Sequence, residues 1–95
     1  ENRGVKVCWN SNPTDLEGQG LKYNFNLVKD KIGDTAHIRE LTDTKYPFQE
    51  LMNLLAGINY NGWMLLECSS DPADKIAALV EQRLLWEKMV AQSRV

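Results

Sequence analysis

Three short runs of β-forming residues punctuate this chain: Gly4-Val-Lys-Val-Cys-Trp-Asn10, Asp34-Thr-Ala-His-Ile-Arg-Glu-Leu41 and Gly62-Trp-Met-Leu-Leu-Glu-Cys68. The stretches between them are far too long for hairpins and carry apolar residues at helical spacing. Strand, helix, strand, helix, strand, helix is the pattern of parallel βα units, because each strand must be re-entered through a crossover. The expectation is therefore an α/β domain over 1–95 with three parallel strands at about 4–10, 34–41 and 62–68. Three strands cannot close a barrel, and runs as apolar as Trp63-Met-Leu-Leu66 sit poorly at an open edge. Two outcomes follow, an arc of a (β/α)8 barrel or a small open sheet completed by association.

The helices are expected at about 21–32, 47–58 and 72–93. Leu21, Phe25, Val28 and Ile32 share one face of the first, with Gly33 as its stop. Pro47 suits a first helical turn, and Phe48, Leu51, Met52, Leu55 and Ile58 form the stripe of the second. Asp71 is placed as the cap of the third, with Asp74 three residues on. Its apolar face is expected to hold Ile76, Leu79, Val80, Leu84, Trp86, Met89 and Val90.

Composition narrows the function. With 11 basic and 13 acidic residues and no basic cluster, the chain lacks a phosphate track, so nucleic acid is not an expected partner. No run approaches the roughly 18 apolar residues needed to span a bilayer, and no signal-like segment opens the chain, so no membrane partner is expected either. Cys8 and Cys68 fall in apolar runs, which points to buried, reduced thiols and a cytoplasmic location. The chain enters a strand pattern at once without an initial methionine, which gives the expectation of a segment cut from a larger protein.

Side chains alternate across a strand, so Lys6, Cys8 and Asn10 share a face, as do Thr35, His37 and Arg39, and Trp63, Leu65 and Glu67. The opposite faces are apolar and would meet helices. Asn10, His37 and Glu67 would then lie near the carboxyl ends of neighbouring parallel strands, the place where αβ folds hold ligands and metals. An imidazole and a carboxylate form a usual mixed ligand set for Mn²⁺, Mg²⁺, Co²⁺ or Zn²⁺. Each residue also has a plainer reading. His37 can be a hydrogen-bonded core histidine, Asn10 can close its strand in an Asx turn, and Arg39 can pair with Glu67 or Glu40 rather than meet a substrate. Glu67 is the hardest to explain plainly, since a carboxylate closing Trp-Met-Leu-Leu is costly to bury unpaired. Trp9 and Tyr46 read as packing residues, and Gly18-Gln-Gly20 as a flexible loop without the rest of a nucleotide fingerprint.

Val7-Cys-Trp-Asn-Ser-Asn-Pro13, Asn24-Phe-Asn-Leu-Val-Lys-Asp-Lys-Ile-Gly33, Ala36-His-Ile-Arg-Glu-Leu41, Tyr46-Pro-Phe-Gln-Glu-Leu51 and Gly62-Trp-Met-Leu-Leu-Glu67 together resemble the last three βα units of the xylose isomerase-like TIM barrels, the sugar phosphate isomerase/epimerase superfamily. The resemblance runs from about Gly4 to Trp86 and lies in order and spacing rather than in one motif. It implies a C-terminal arc of a barrel with one divalent metal held by two glutamates, an aspartate and a histidine. His37 matches the histidine ligand of the family's His-x-His pattern, and Glu67 matches the final-strand glutamate that is both ligand and acid/base residue. Asn10 stands where many members have an aspartate, Pro13 where a histidine follows it, and Thr35 where the first histidine of His-x-His is expected. The second glutamate would come from a strand that precedes this chain.

The resemblance thus implies part of a metal-dependent sugar or sugar phosphate isomerase or epimerase that transfers a proton next to a carbonyl. Catalytic work falls to Glu67, metal ligation to His37, Glu67 and Asn10, and substrate contact to Arg39. The isolated chain is expected to be inactive, to bind the ion weakly or not at all, and to be either a homo-oligomer or short of an N-terminal barrel half. The alternative is a non-catalytic α/β fragment that self-associates. A barrel of the AP endonuclease type is disfavoured, because one histidine and a net charge of −2 do not make a zinc cluster in a basic groove.

Overall fold

The computed structural model describes residues 4–94; the first three residues and the last of the expected 1–95 domain lie outside them. Strands β1 (Val7–Trp9), β2 (Ile32–Ile38) and β3 (Trp63–Leu66) form one parallel sheet in the order β1-β2-β3. Helices α1 (Leu21–Val28), α2 (Phe48–Gly57) and α3 (Lys75–Ser93) follow the strands in turn, with short 3-10 turns at Pro13–Leu16 and Lys29–Lys31. The mixed α/β class and the parallel sheet agree with the sequence reading.

The elements differ from expectation mainly at their ends. Ile32 has helical spacing after Val28, but pairing with Val7 draws it into β2, so the first helix gives way to the 3-10 turn. Gly33 consequently lies within the strand instead of stopping the helix. A side chain there would press within 2.9 Å of Lys6 Cβ, at the irregular step where Val7 and Trp9 pair with Ile32 and Ala36. Asp74, not Asp71, caps α3: its carboxylate accepts from Ala77 N at 3.0 Å, while Asp71 pairs with Lys75 at 3.0 Å. Pro72 is left in the loop before the helix.

The period-two alternation assigns the faces as expected. Trp9, Ala36 and Ile38 are buried, and Met64 and Leu66 pack with them against Leu21, Phe25, Phe48, Leu51, Met52 and Leu55 of the helices. Trp9 meets Phe25 edge to face, with centroids 5.4 Å apart. Among the described residues no helix covers the other face of the sheet, where Trp63 is 72% and Leu65 43% exposed. The chain exposes 6764 Å² in all, against about 5,600 Å² for a compact monomer of this size.

Helix α3 is the largest departure from the expected core. Trp86 and Met89 pack inward as predicted, whereas Ile76, Leu79, Val80 and Leu84 are exposed. Buried Gln82 faces inward instead and accepts a hydrogen bond from Leu41 N at 2.6 Å, closing the loop that leaves β2. Apolar residues occur all round this helix, so spacing alone does not reveal the buried side. The two cysteines also correct the sequence reading, since Cys8 and Cys68 are free but exposed. Cys8 points to the open face of the sheet and Cys68 follows the end of β3, so the inference of a reducing compartment from buried thiols loses its premise. No described helix is long and apolar enough to cross a membrane.

Substituting Gln82→Leu strands the Leu41 amide in a buried site. Urea unfolding is expected to show a loss of about 2 kcal/mol with an unchanged m-value; an unchanged midpoint would mean that Leu41 N finds another partner.

Candidate functional site

Register brings His37 and Glu67 together. His37 lies opposite Leu65 and Ile38 opposite Leu66, and Glu67 N donates to Ile38 O at 2.8 Å, carrying the ladder one residue past β3. Glu67 therefore sits one step beyond Leu65 on the uncovered face and one diagonal from His37. Its Oε1 is 3.5 Å from His37 Nδ1, with the side chains 55% and 32% exposed. At that distance the pair is an electrostatic contact rather than a short hydrogen bond. The same separation suits two donors on one small cation, because ligands each about 2.1 Å from an ion at a near-tetrahedral angle lie about 3.4 Å apart.

The loop after β1 supports this end of the sheet. Buried Ser11, in the left-handed region at φ 52, donates its hydroxyl to His37 O at 2.7 Å. Asn12 N donates to Asp15 Oδ2 at 2.8 Å, and the Tyr46 hydroxyl donates to the same oxygen at 2.6 Å while accepting from Trp9 Nε1 at 3.2 Å. Burial first, and then the Asp15 carboxylate, push the Tyr46 phenol well above its ordinary range. Tyr46 is thus a neutral hydrogen-bonded core residue, and Trp9 joins it as the sequence predicted.

The remaining candidates lie on the same rim with different partners. Asn10 is exposed, and its Oδ1 lies 3.9 Å from the Cys8 thiol, whose sulfur in turn is 3.7 Å from Thr35 Oγ1. Arg39 donates from Nη2 to Asn12 Oδ1 at 3.2 Å, toward the β1 side and neither toward Glu67 nor toward Glu40. His37 and Glu67 are therefore the expected site residues brought into direct contact. Among the described residues, no group of three or more histidines, cysteines, aspartates or glutamates converges on one point.

Glu40 is the polar residue that sequence reasoning undervalued. Its carboxylate accepts from Ser69 N, Ser69 Oγ, Ser70 N and Ser70 Oγ at 2.9, 3.0, 2.8 and 2.6 Å, tying the loop after β3 to the end of β2. The Ser70 hydroxyl contributes most to holding the Glu40 pKa at about 2, down from 4.5, with partial burial working the other way. A Ser-Ser pair just after a strand is the one local signal for such an anchor, but its partner lies thirty residues earlier.

A separate hollow lies elsewhere. About 540 Å³ opens between α2, the start of β3 and α3, bounded by Met52, Leu55, Tyr60, Met64, Trp86 and Val90. It lies at the amino end of β3, remote from His37 and Glu67. No protein-family model, curated protein or solved structure matches the chain.

The lowered Glu40 pKa makes stability depend on pH in a stated direction. The ionised form is favoured by folding, so its contribution is complete above about 4.5 and disappears as pH falls toward 2. With solvent screening the Glu40→Gln cost is about 1 kcal/mol. Thermal melts should show the wild type above the variant at pH 7 and the gap closing by pH 3 to about two fifths of that value. A gap that is constant with pH would dismiss the charged anchor.

Proposed function

We propose that the chain forms the C-terminal three βα units of a xylose isomerase-like barrel, with His37 and Glu67 as half of a divalent metal site for sugar isomerisation or epimerisation. The observation that carries this reading is the 3.5 Å contact between His37 and Glu67 at the carboxyl ends of adjacent parallel strands, on the sheet face that no described helix covers. All helices packing on one side of strands in sequential order is the layout of a barrel arc, whose inner face is closed by other strands. Exposed Trp63 and Leu65 have the size and polarity of barrel-interior residues, and the surplus of exposed surface has the same origin.

In this reading Glu67 is the acid/base group. It takes a proton from the carbon beside the substrate carbonyl, or returns one, while a second carboxylate on another strand works from the opposite side. His37 contributes a nitrogen donor beside the Glu67 carboxylate. Asn10 contributes a neutral oxygen, which lowers the affinity for a hard cation relative to a carboxylate. Arg39, released from Asn12, reaches a hydroxyl or phosphate of a small sugar. A bound divalent ion would polarise the substrate carbonyl.

The chain's one histidine makes the site directly observable. Titration with Mn²⁺ is expected to broaden the His37 ring signals in proton NMR with a dissociation constant on the order of millimolar, as a site of two or three donors allows. Glu67→Gln should abolish the broadening while leaving the fold. Absence of broadening at millimolar Mn²⁺, or its persistence in the variant, defeats the metal reading. In a complete, active barrel containing this chain, Glu67→Gln is expected to lower turnover by about 10³-fold.

A further inference from the structure

Helix α3 has two apolar sides, and only one is used within the chain. Gln82, Leu85, Trp86 and Met89 turn toward the core, whereas Ile76, Val80 and Leu84 form a second row at four-residue spacing. These three are 78%, 44% and 55% exposed, and small Ala91 extends the row. A helix that is apolar on both sides is ordinarily covered on both.

The charges beside this row indicate what covers it. At 100° per residue, Arg83 and Glu87 fall on one flank, and Glu81 and Lys88 on the other. All four are exposed, and none makes an ion pair among the described residues. Each flank carries one acid and one base at different heights, which makes it complementary to itself in reverse. A two-fold contact brings each flank of a helix against the same flank of its copy. With the helices antiparallel and the axis near Leu84, Glu81 faces Lys88 of the second copy and Arg83 faces Glu87 of the second copy, each pair occurring twice. Leu84 meets its own counterpart beside the axis, and Val80 meets Ala91 of the second copy.

We propose that the outer row of α3 is a docking surface for a second copy of this chain, the two helices packing antiparallel about a two-fold axis near Leu84. Antiparallel packing also opposes the two helix dipoles. A shallow hollow of about 600 Å³ beside the row, bounded by Leu41, Thr44, Ala77, Val80 and Leu84, extends the apolar contact. One helix face of about 28 Å gives an interface near the lower limit of the specific class, so the dissociation constant is on the order of 10 μM. The row is exposed on α3 and shares no residue with the uncovered face of the sheet, so the inference does not rest on the barrel reading.

Sedimentation equilibrium on the 95-residue chain tests it. Dimers are expected for the wild type, with Leu84→Glu and Glu81→Lys each weakening association by about tenfold or more. Combining Glu81→Lys with Lys88→Glu should restore it to within about threefold of the wild type, because the exchanged charges again meet across the axis. Trp63→Ser, on the open sheet face, should leave the dimer unchanged. All these positions are exposed, and circular dichroism verifies that each variant folds. A chain that stays monomeric to about 200 μM overturns the proposal. So does association that survives Leu84→Glu but is lost in Trp63→Ser, and failure of the double reversal to restore it overturns the antiparallel arrangement.

Discussion

Parallel pairing of β2 with β3 governs both the packing and the chemistry of this chain. Ala36 opposite Met64 and Ile38 opposite Leu66 send four apolar side chains toward the helices. The intervening positions must then send Thr35, His37, Trp63 and Leu65 the other way. A slip of one residue in either strand would exchange the faces of that strand, burying His37 or Leu65 among the helices and separating His37 from Glu67. The contact between those two side chains is thus a consequence of core packing on the far side of the sheet. It requires no local motif of its own.

Polar anchors fix the carboxyl ends of the strands where apolar packing stops. Ser11 holds the loop after β1 to His37, Gln82 holds the loop after β2 to α3, and Glu40 holds the loop after β3 through four hydrogen bonds. The buried members of this set satisfy backbone groups that would otherwise be stranded without water. A rim held in this way can present His37, Arg39 and Glu67 at settled positions, which proton transfer requires. At the amino end a hollow opens among Met52, Leu55, Met64 and Trp86, with Asn59, Asn61 and Arg94 also on its wall.

Much of this arrangement was legible because periodicity is a local property. The runs around Cys8, His37 and Leu65 alternate with a period of two, and the distances between them exclude hairpins, so parallel strands and their faces could be read directly. The convergence of His37 and Glu67 followed from those faces. The misread positions are those where a distant contact overrides a local pattern. Ile32 continues a helical stripe yet pairs with Val7, and Asp71 looks like a cap until Asp74 takes the Ala77 amide. Cys8 is exposed for a related reason, since an apolar run predicts burial only where both faces of the sheet are covered, and Cys68 lies past the end of β3.

The sequence by itself determined the order of elements, the parallel sense of the strands and the residues that share each face, because all three depend on spacing along one chain. Only the tertiary structure decided which helix faces are buried, how far His37 lies from Glu67, and that Arg39 turns to Asn12 while Glu40 takes Ser69 and Ser70. Those outcomes are competitions between partners far apart in sequence, settled by geometry and by the cost of leaving a buried polar group unpaired. Helix α3 marks the boundary between the two: its end was readable, but its start fell at Asp74 instead of Asp71, and its inward side carries Gln82 bonded to Leu41, a contact that no helical periodicity contains.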